Sequence, residues 1–447
     1  MNKKILLLVS GGGVAFMVLL AMVIVVVNPQ QRLAGVEDDA RSPESDPTEM
    51  SDVNGLNWSI IETVVDAQER LIVARRLDEP GRGVGYDFVR LYADGRRDTS
   101  FISGNGLEQN EDTNVFDNPI ITDIDVQDDG KVLVAGGFIG YQGESVKDLI
   151  RLNVDGRRDK AFDIQDGFNG LIRVVNVQPD GKVLVGGDFT EYQGQSANHL
   201  IRLHPDGRRD GSFDIGTGFD APVTLITIQD DSKILVAGGR SDIREYNTTS
   251  VSQLVRLYPD GQLDQSFDVG EGARIIESDG SVRIGGIWTI DIQDDGRILV
   301  GGLFTNFQGE QRQGMVRLDS RGMLDDSFRI EGAFEDDEDL NYTVSKSLIQ
   351  EDGSILLAGL FDESLDKLNV LMRVYSDGSR DESFGIEYQS EIDGTIRDMH
   401  QYDSERILIQ GSMNLYQGQS VPNLARIYTM DARLDNSFVW EMDSIEE

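Results

Sequence analysis

One unit recurs along this chain, and that recurrence restricts the fold more than any other feature. Aligned on the phenylalanine that ends each copy, the units close at Phe101, Phe162, Phe213, Phe267, Phe328, Phe384 and Phe438, spaced by 61, 51, 54, 61, 56 and 54 residues. Self-similarity at such a period marks architectures in which each copy is one supersecondary unit that buries its apolar sides against its neighbours. The clearest copy, Val174 to Phe213, alternates apolar and polar residues through two hairpins, which predicts four short strands per unit.

The turns set the register. In Gln178-Pro179-Asp180-Gly181-Lys182 and His204-Pro205-Asp206-Gly207-Arg208, proline fixes φ near −65° at the first turn position, which excludes a type I′ turn and fits a type I turn closed by a left-handed glycine. Counting outward from the second loop, Leu203 faces Arg209 and Arg202 faces Asp210, a cross-strand ion pair. The pair recurs as Arg90 and Asp98, Arg151 and Asp159, Arg256 and Asp264, Arg317 and Asp325, and Arg373 and Asp381, always eight residues apart. Arg opposite each Asp makes these scaffold rather than a ring of cation-binding carboxylates. In the seventh unit Arg426 and Asp435 are nine apart and Ala432 replaces the turn glycine, so the pairing is not predicted there.

A four-stranded unit repeated seven times closes radially or stacks as an open solenoid. Double antiparallel hairpins favour the ring, because β-helix rungs are shorter and lack them. The expected fold class is therefore all-β, a seven-bladed β-propeller of four-stranded antiparallel blades, preceded by one transmembrane helix. The phrases VQPDGKVLVGGDF and RLHPDGRRDGSF resemble the delta-sixty repeat of bacterial proteins, a family regarded as propeller-forming. The resemblance spans about residues 58 to 438 and rests on Q-x-D-G-K, G-G-x-F, Y-Q-G, R-L and D-x-S-F occurring together in order. It implies the fold and no catalytic residue. The first unit departs most, since Asp66 to Arg70 lacks the turn glycine and Val73-Ala74-Arg75-Arg76 replaces the Gly-Gly strand end.

Ahead of the repeats, Lys3 and Lys4 precede an uncharged run from Ile5 to Val27, long enough as a helix to cross a bilayer. The flank Asn28-Pro29-Gln30-Gln31-Arg32 lacks a small-x-small cleavage site, which favours an uncleaved signal anchor over a cleaved signal peptide. The expected organisation is a cytoplasmic tip at 1–4, a transmembrane anchor at 5–27, a disordered acidic linker at 28–57, the propeller at 58–441 and a tail at 442–447. The lysines favour a cytoplasmic amino terminus and an extracytoplasmic propeller, secreted if the segment is cleaved.

A formal charge of −38 repels nucleic acid phosphates, so nucleic acid is excluded as a partner. With no cysteine, disulfides, thiolate nucleophiles and Cys-ligated metals are excluded too. No cofactor is expected. The Asp-Gly turns suggest calcium but offer one carboxylate and a lysine where calcium loops need several oxygen ligands, so calcium is disfavoured. His199, His204 and His400 share no spacing that suggests a zinc or nucleophile-base site and are read as strand-surface residues. No catalytic residue is assigned.

Candidate binding residues come from the variable loops. Tyr141, Tyr192, Phe307 and Tyr416 precede Gln-Gly in four units; packing between blades is the favoured reading, and a glycan- or peptide-stacking rim the alternative. The loop 329–341 carries an acidic run that includes Asp336 and Asp337, and Ile275 to Ile284 reads as an additional hairpin. The functional expectation is a non-enzymatic scaffold for a protein or glycan partner; the alternative is an extracytoplasmic hydrolase or lyase using carboxylates or a metal at the central channel.

Overall fold

The computed structural model describes residues 50–51, 57–79, 83–108, 120–239, 243–277, 279–330, 341–363, 366–384 and 392–438. Of the two compact units into which the chain divides, Met1–Asp46 lies outside these residues, and the structure described is that of Pro47–Glu447. The latter is a β-propeller. Among the described residues, seven antiparallel meanders of three strands each follow one another, beginning with Asn57–Val65, Leu71–Glu79 and Gly83–Leu91. The inner strands of the next six are Ile120–Val126, Ile172–Val177, Leu225–Ile228, Gly286–Ile292, Asn341–Ile349 and Ile392–Asp403. Each inner strand touches the next, and the last touches the first, so the sheets surround an axis with these strands innermost.

The middle of the second strand of each unit is buried. Val183, Leu184 and Val185 are 0% exposed, since the strand is flanked on both edges and packed on both faces. The apolar side chains interlock between neighbouring sheets: Leu133 and Ala135 of the second pack with Val183, Val185 and Leu203 of the third. The Gly-Gly that ends this strand has a steric cause. Most inner strands carry a bulge beside it, as between Ile172 and Val174, which swings the Leu171 carbonyl to 2.3 Å from where a Cβ on Gly187 would sit.

The predicted cross-strand pairing is present in all seven units, including the seventh. Arg Nε lies 2.7–2.9 Å from Asp Oδ2 in each, and the guanidinium stacks 4.6–5.0 Å from the centroid of the unit's terminal phenylalanine. The seventh unit absorbs its extra residue in a wider loop. Ala432 sits at φ 58° there, with its N–H donated to Tyr428 O.

Each of these arginines also donates Nη1 to a carbonyl in the second hairpin of the next unit: Arg90 to Val154, Arg151 to Pro205, Arg202 to Pro259, Arg256 to Ser320, Arg317 to Ser376, Arg373 to Thr429 and Arg426 to Ala93. The last of these runs from the final sheet back to the first. At the same seam Gln410 Nε2 donates to Ile60 O at 3.2 Å and Tyr402 Oη to Glu69 O at 2.7 Å. Among the described residues no strand is exchanged there. Ile60, Leu71 and Val89 instead pack against Tyr402, Leu408 and Leu424.

Three expectations are corrected. The fourth strand of each unit is reduced to an isolated bridge such as Leu203 with Arg209. The reason is Asp210, whose carboxylate accepts from the Ser212 N–H at 2.9 Å and hydroxyl at 2.6 Å and curls the chain away from the ladder. The transmembrane helix drops out of the fold class. No helix among the described residues is long and apolar enough to cross a membrane, because these residues alternate with a period of two and form strands; the stretch 5–27 lies outside them. The linker expected to end at residue 57 ends earlier, since Met50–Ser51 pairs with Trp58 and Asn57. In the first unit the missing turn glycine is replaced by Glu69 at φ 57°, held by Asp66, which accepts from the N–H groups of Gln68 and Arg70 at 2.9 Å each.

Replacing Arg426 with Met leaves Asp435, 2% exposed, with only the longer ion pair to Arg406 at 3.6 Å and removes the closing bond to Ala93. The expected cost is about 3–5 kcal/mol, read as a lowered urea midpoint. Hydrogen exchange in Arg426→Met should speed first in the strands on either side of the seam.

Candidate functional site

The four aromatic candidates are enclosed. Tyr141, Tyr192, Phe307 and Tyr416 are 0–1% exposed, each in a two-residue strand pairing or strand end next to a Gln-Gly turn. The tyrosine hydroxyls donate to the backbone of the second hairpin: Tyr141 to Gly156 O at 2.7 Å, Tyr192 to Gly207 O at 2.5 Å and Tyr416 to Ala432 O at 2.6 Å. Tyr246, in a unit without the Gln-Gly pair, does the same to Gly261 O. Where Phe307 has no hydroxyl, Gln308 Nε2 reaches the equivalent Gly322 carbonyl. In these five units one hairpin carbonyl takes a side-chain donor, and burial between sheets, as in the Phe88–Tyr141 contact, uses the ring. Asp336 and Asp337 lie outside the described residues. The additional hairpin is present, with Ala273–Ile276 paired to Val282–Ile284.

The groups that break the repeat sit on the inner strands. Counting back four residues from Gln127, Gln178, Gln229, Gln293 and Gln350, or from Asp66 and Tyr402 in the same place, gives Glu62, Asp123, Val174, Leu225, Thr289, Lys346 and Asp398. Six of the seven directly follow a bulge in the inner strand, Leu225 being the exception, a device that re-aims a side chain. One arc of the ring, from the sixth sheet through the seventh and first to the second, is ionisable. The opposite arc carries Val174, Leu225 and Thr289.

On the ionisable arc Lys346 Nζ lies 2.7 Å from Asp398 Oδ1, and His400 Nε2 lies 3.0 Å from Asp398 Oδ2. Ligating atoms of Glu62, Asp398 and His400 fall within 4.8 Å of one another. Asp398 is 8% exposed. Burial opposes its ionisation, but His400 and Lys346 overcome that and hold its carboxyl well below the usual range. Burial, with the nearby Asp398 and Asp123, pushes Glu62 well up. Lys346 is raised despite burial, by Asp398 foremost. Two neighbouring carboxyls displaced in opposite directions separate a proton holder from an ionised partner.

Asp123 and Asp125 serve the frame as well. An inner strand leaves N–H groups bare on its axial edge; Asp123 Oδ2 accepts from Val175 N and Asp125 Oδ2 from Val177 N, each at 2.7 Å. Burial pushes Asp123 up to about 8 and Asp125 up to about 6. Asp291, raised chiefly by burial, accepts from the Ser347 hydroxyl of the next sheet.

His400 is thus not an ordinary strand-surface residue. His199 and His204 stand apart from the cluster: His199 Nδ1 lies 3.0 Å from Gly187 O, and His204 is 3.7 Å from Asp210. Sequence reading passes over Glu62, Asp123, Lys346 and Asp398, although the column of unlike residues at one repeat position is visible once the units are aligned on the hairpin glutamine.

Because the folded state holds the Asp123 proton more tightly than the unfolded chain does, stability falls as pH rises from about 4 to about 8. Asn at this position keeps an oxygen for Val175 N–H and does not ionise. Asp123→Asn should therefore match the wild type near pH 4 and melt higher than it at pH 8, by roughly a few degrees, in thermal scans across that range.

Five stretches, residues 127–162, 178–213, 229–267, 293–328 and 350–384, match a domain of unknown function described as DUF5122 beta-propeller. The chain carries β-propeller repeats of that kind. No curated protein matches the sequence. Among solved structures, a protein of unknown function from Bacteroides caccae is 14% identical, covering 59% of this chain and 80% of its own, at a TM-score of 0.33. One from Dyadobacter fermentans is 12% identical over 82% of this chain and 93% of its own, at 0.35. A gluconolactonase from Xanthomonas campestris is 13% identical over 71% of this chain and 93% of its own, at 0.32. Likenesses this distant carry no argument about activity.

Proposed function

We propose that the protein is a non-enzymatic binding scaffold of the delta-sixty repeat kind, whose glycan or protein partner is contacted by the ionisable arc of the inner strands. One observation carries the reading. Residues that recur in every unit are consumed by the frame, whereas the inner-strand position that varies from unit to unit gathers Glu62, Asp123, Lys346 and Asp398 on one side of the axis. Lys346 and His400 keep side-chain exposures of 35% and 24%, so a ligand can reach donors and acceptors of both kinds. The buried aromatics do not provide a stacking rim, which moves the expected contact surface from the loops to the axis.

A second reading has its own support. A carboxyl whose hold on its proton is strengthened by burial, Glu62, beside one held ionised by His400 and Lys346, Asp398, is the arrangement an acid–base pair needs, and it favours a hydrolase or lyase over simple binding.

Thermal unfolding and calorimetry of the full-length protein against neutral and acidic oligosaccharides and lysine-rich peptides test the two readings. The binding reading expects a ligand that raises the wild-type Tm and is recovered unaltered, with affinity reduced about tenfold or more in Lys346→Met or Asp398→Asn. A ligand that binds those variants as tightly as the wild type places the contact surface elsewhere. Chemical conversion of the ligand, lost in Glu62→Gln, decides for the enzyme.

A further inference from the structure

The donors on the ionisable arc come from the two ends of the repeat region. Glu62 belongs to the inner strand of the first sheet, Asp398 and His400 to that of the last, and their ligating atoms converge within 4.8 Å. We propose that Glu62, Asp398 and His400 form a divalent-cation site that pins the first sheet to the last across the seam of the ring.

Lys346 does not fill that place. Its ammonium takes Asp398 Oδ1, while Oδ2 is the oxygen turned toward His400 Nε2. The lysine therefore orients the carboxylate from outside and leaves the inner oxygen to the cluster, the part played by outer-shell partners of metal ligands.

Two atoms beside the cluster lack hydrogen bonds. His400 Nε2 is enclosed and, although 3.0 Å from the Asp398 oxygen, makes no aligned hydrogen bond. Gln410 stands directly across the ladder from Asp398, hence on the same face of the sheet. It is 1% exposed and spans the seam through Nε2 to Ile60 O, and its Oε1 has no partner. A buried acceptor of this kind destabilises the fold unless something donates to it. Three protein ligands leave open positions for water on the ion, and a bound water supplies that donor.

The donor set selects the ion. One imidazole nitrogen with two carboxylates suits Zn2+ or Mn2+, whereas Ca2+ takes six to eight oxygens and finds too few here. The ion adds metal–ligand bonds to a seam otherwise held by side-chain hydrogen bonds and packing. The site stands without the ligand reading above: an ion with no ligand upholds the cation site alone, and a ligand with no ion upholds the scaffold alone.

Full-length protein stripped with chelator is titrated with Zn2+, Mn2+ and Ca2+ and followed by thermal unfolding and calorimetry. The expected result is one Zn2+ or Mn2+ per chain with a raised Tm, binding about tenfold weaker or more in His400→Gln and in Glu62→Gln, and a smaller Ca2+ effect. An ion drawn only by the chain's excess of acidic residues shifts wild type and variants equally, which overturns the site, as does no shift with any ion. Should the variants fold poorly, pulsed electron paramagnetic resonance of Mn2+ on the wild type decides: coupling to an imidazole nitrogen supports the site, and its absence overturns it.

Discussion

The fold depends on a single guanidinium contact repeated around the axis. Each arginine bonds the aspartate across its own hairpin, lies over the phenylalanine that ends its unit, and gives its remaining amino group to the hairpin of the next unit. The first two contacts define where a unit stops; the third defines where its neighbour begins. A buried arginine is tolerated because every part of it is used: donors by carboxylate and carbonyl, the planar face by an aromatic ring. Burial works against the ionised aspartate, but hydrogen bonds from Ser100 and Arg90 hold Asp98 down to about 2. The carboxylate therefore stays ionised throughout the physiological range.

The same contact accounts for the punctuation of the sequence. The glycine of the second hairpin must take positive φ and must also let the preceding unit approach. In Gly207, at φ 89°, a Cβ would stand 2.7 Å from Asp163 O, so the two requirements fall on one residue. The seventh unit shows what is essential by departing from the pattern. With Ala432 for glycine and one residue more in the loop, Arg426 still reaches Asp435 and still crosses to Ala93. The pairing is what the unit preserves, and the loop length gives way to it.

What could be read from the chain follows from how local the cause is. The Arg202–Asp210 register depends on a few residues and a turn type, and counting along the sequence recovers it. The fate of the segment after Asp210 also has a local cause, the Asx turn to Ser212, but period-two alternation does not reveal it, and a full fourth strand is predicted where one bridge exists. Tyr192 is ambiguous in sequence because a ring that packs between sheets and a ring that stacks on a ligand look alike there; its hydroxyl bond to Gly207 O settles the matter only in three dimensions. The cluster of Glu62, Asp398 and His400 is further out of reach, because its members lie at opposite ends of the repeats and meet only when the ring closes.

That meeting at the seam has a physical logic. Every other junction in the ring joins sheets connected by a short stretch of chain, so their effective concentration is high and a frayed contact reforms quickly. At the junction of first and last sheets the linking chain is the whole ring, and nothing local restores the contact. Inner-strand residues at the other junctions can be apolar, as Val174 and Leu225 are, whereas here Glu62 meets Asp398 and His400, and the bridging amide of Gln410 and the bond from Tyr402 to Glu69 O stand with them. Charged groups in a partly buried site are directional, and they discriminate the right neighbour from a slipped one more sharply than valine and leucine do. The asymmetry of the axis is therefore rooted in the topology of closing a chain on itself: the place that most needs specific contacts is also where polar groups become available for a ligand or an ion.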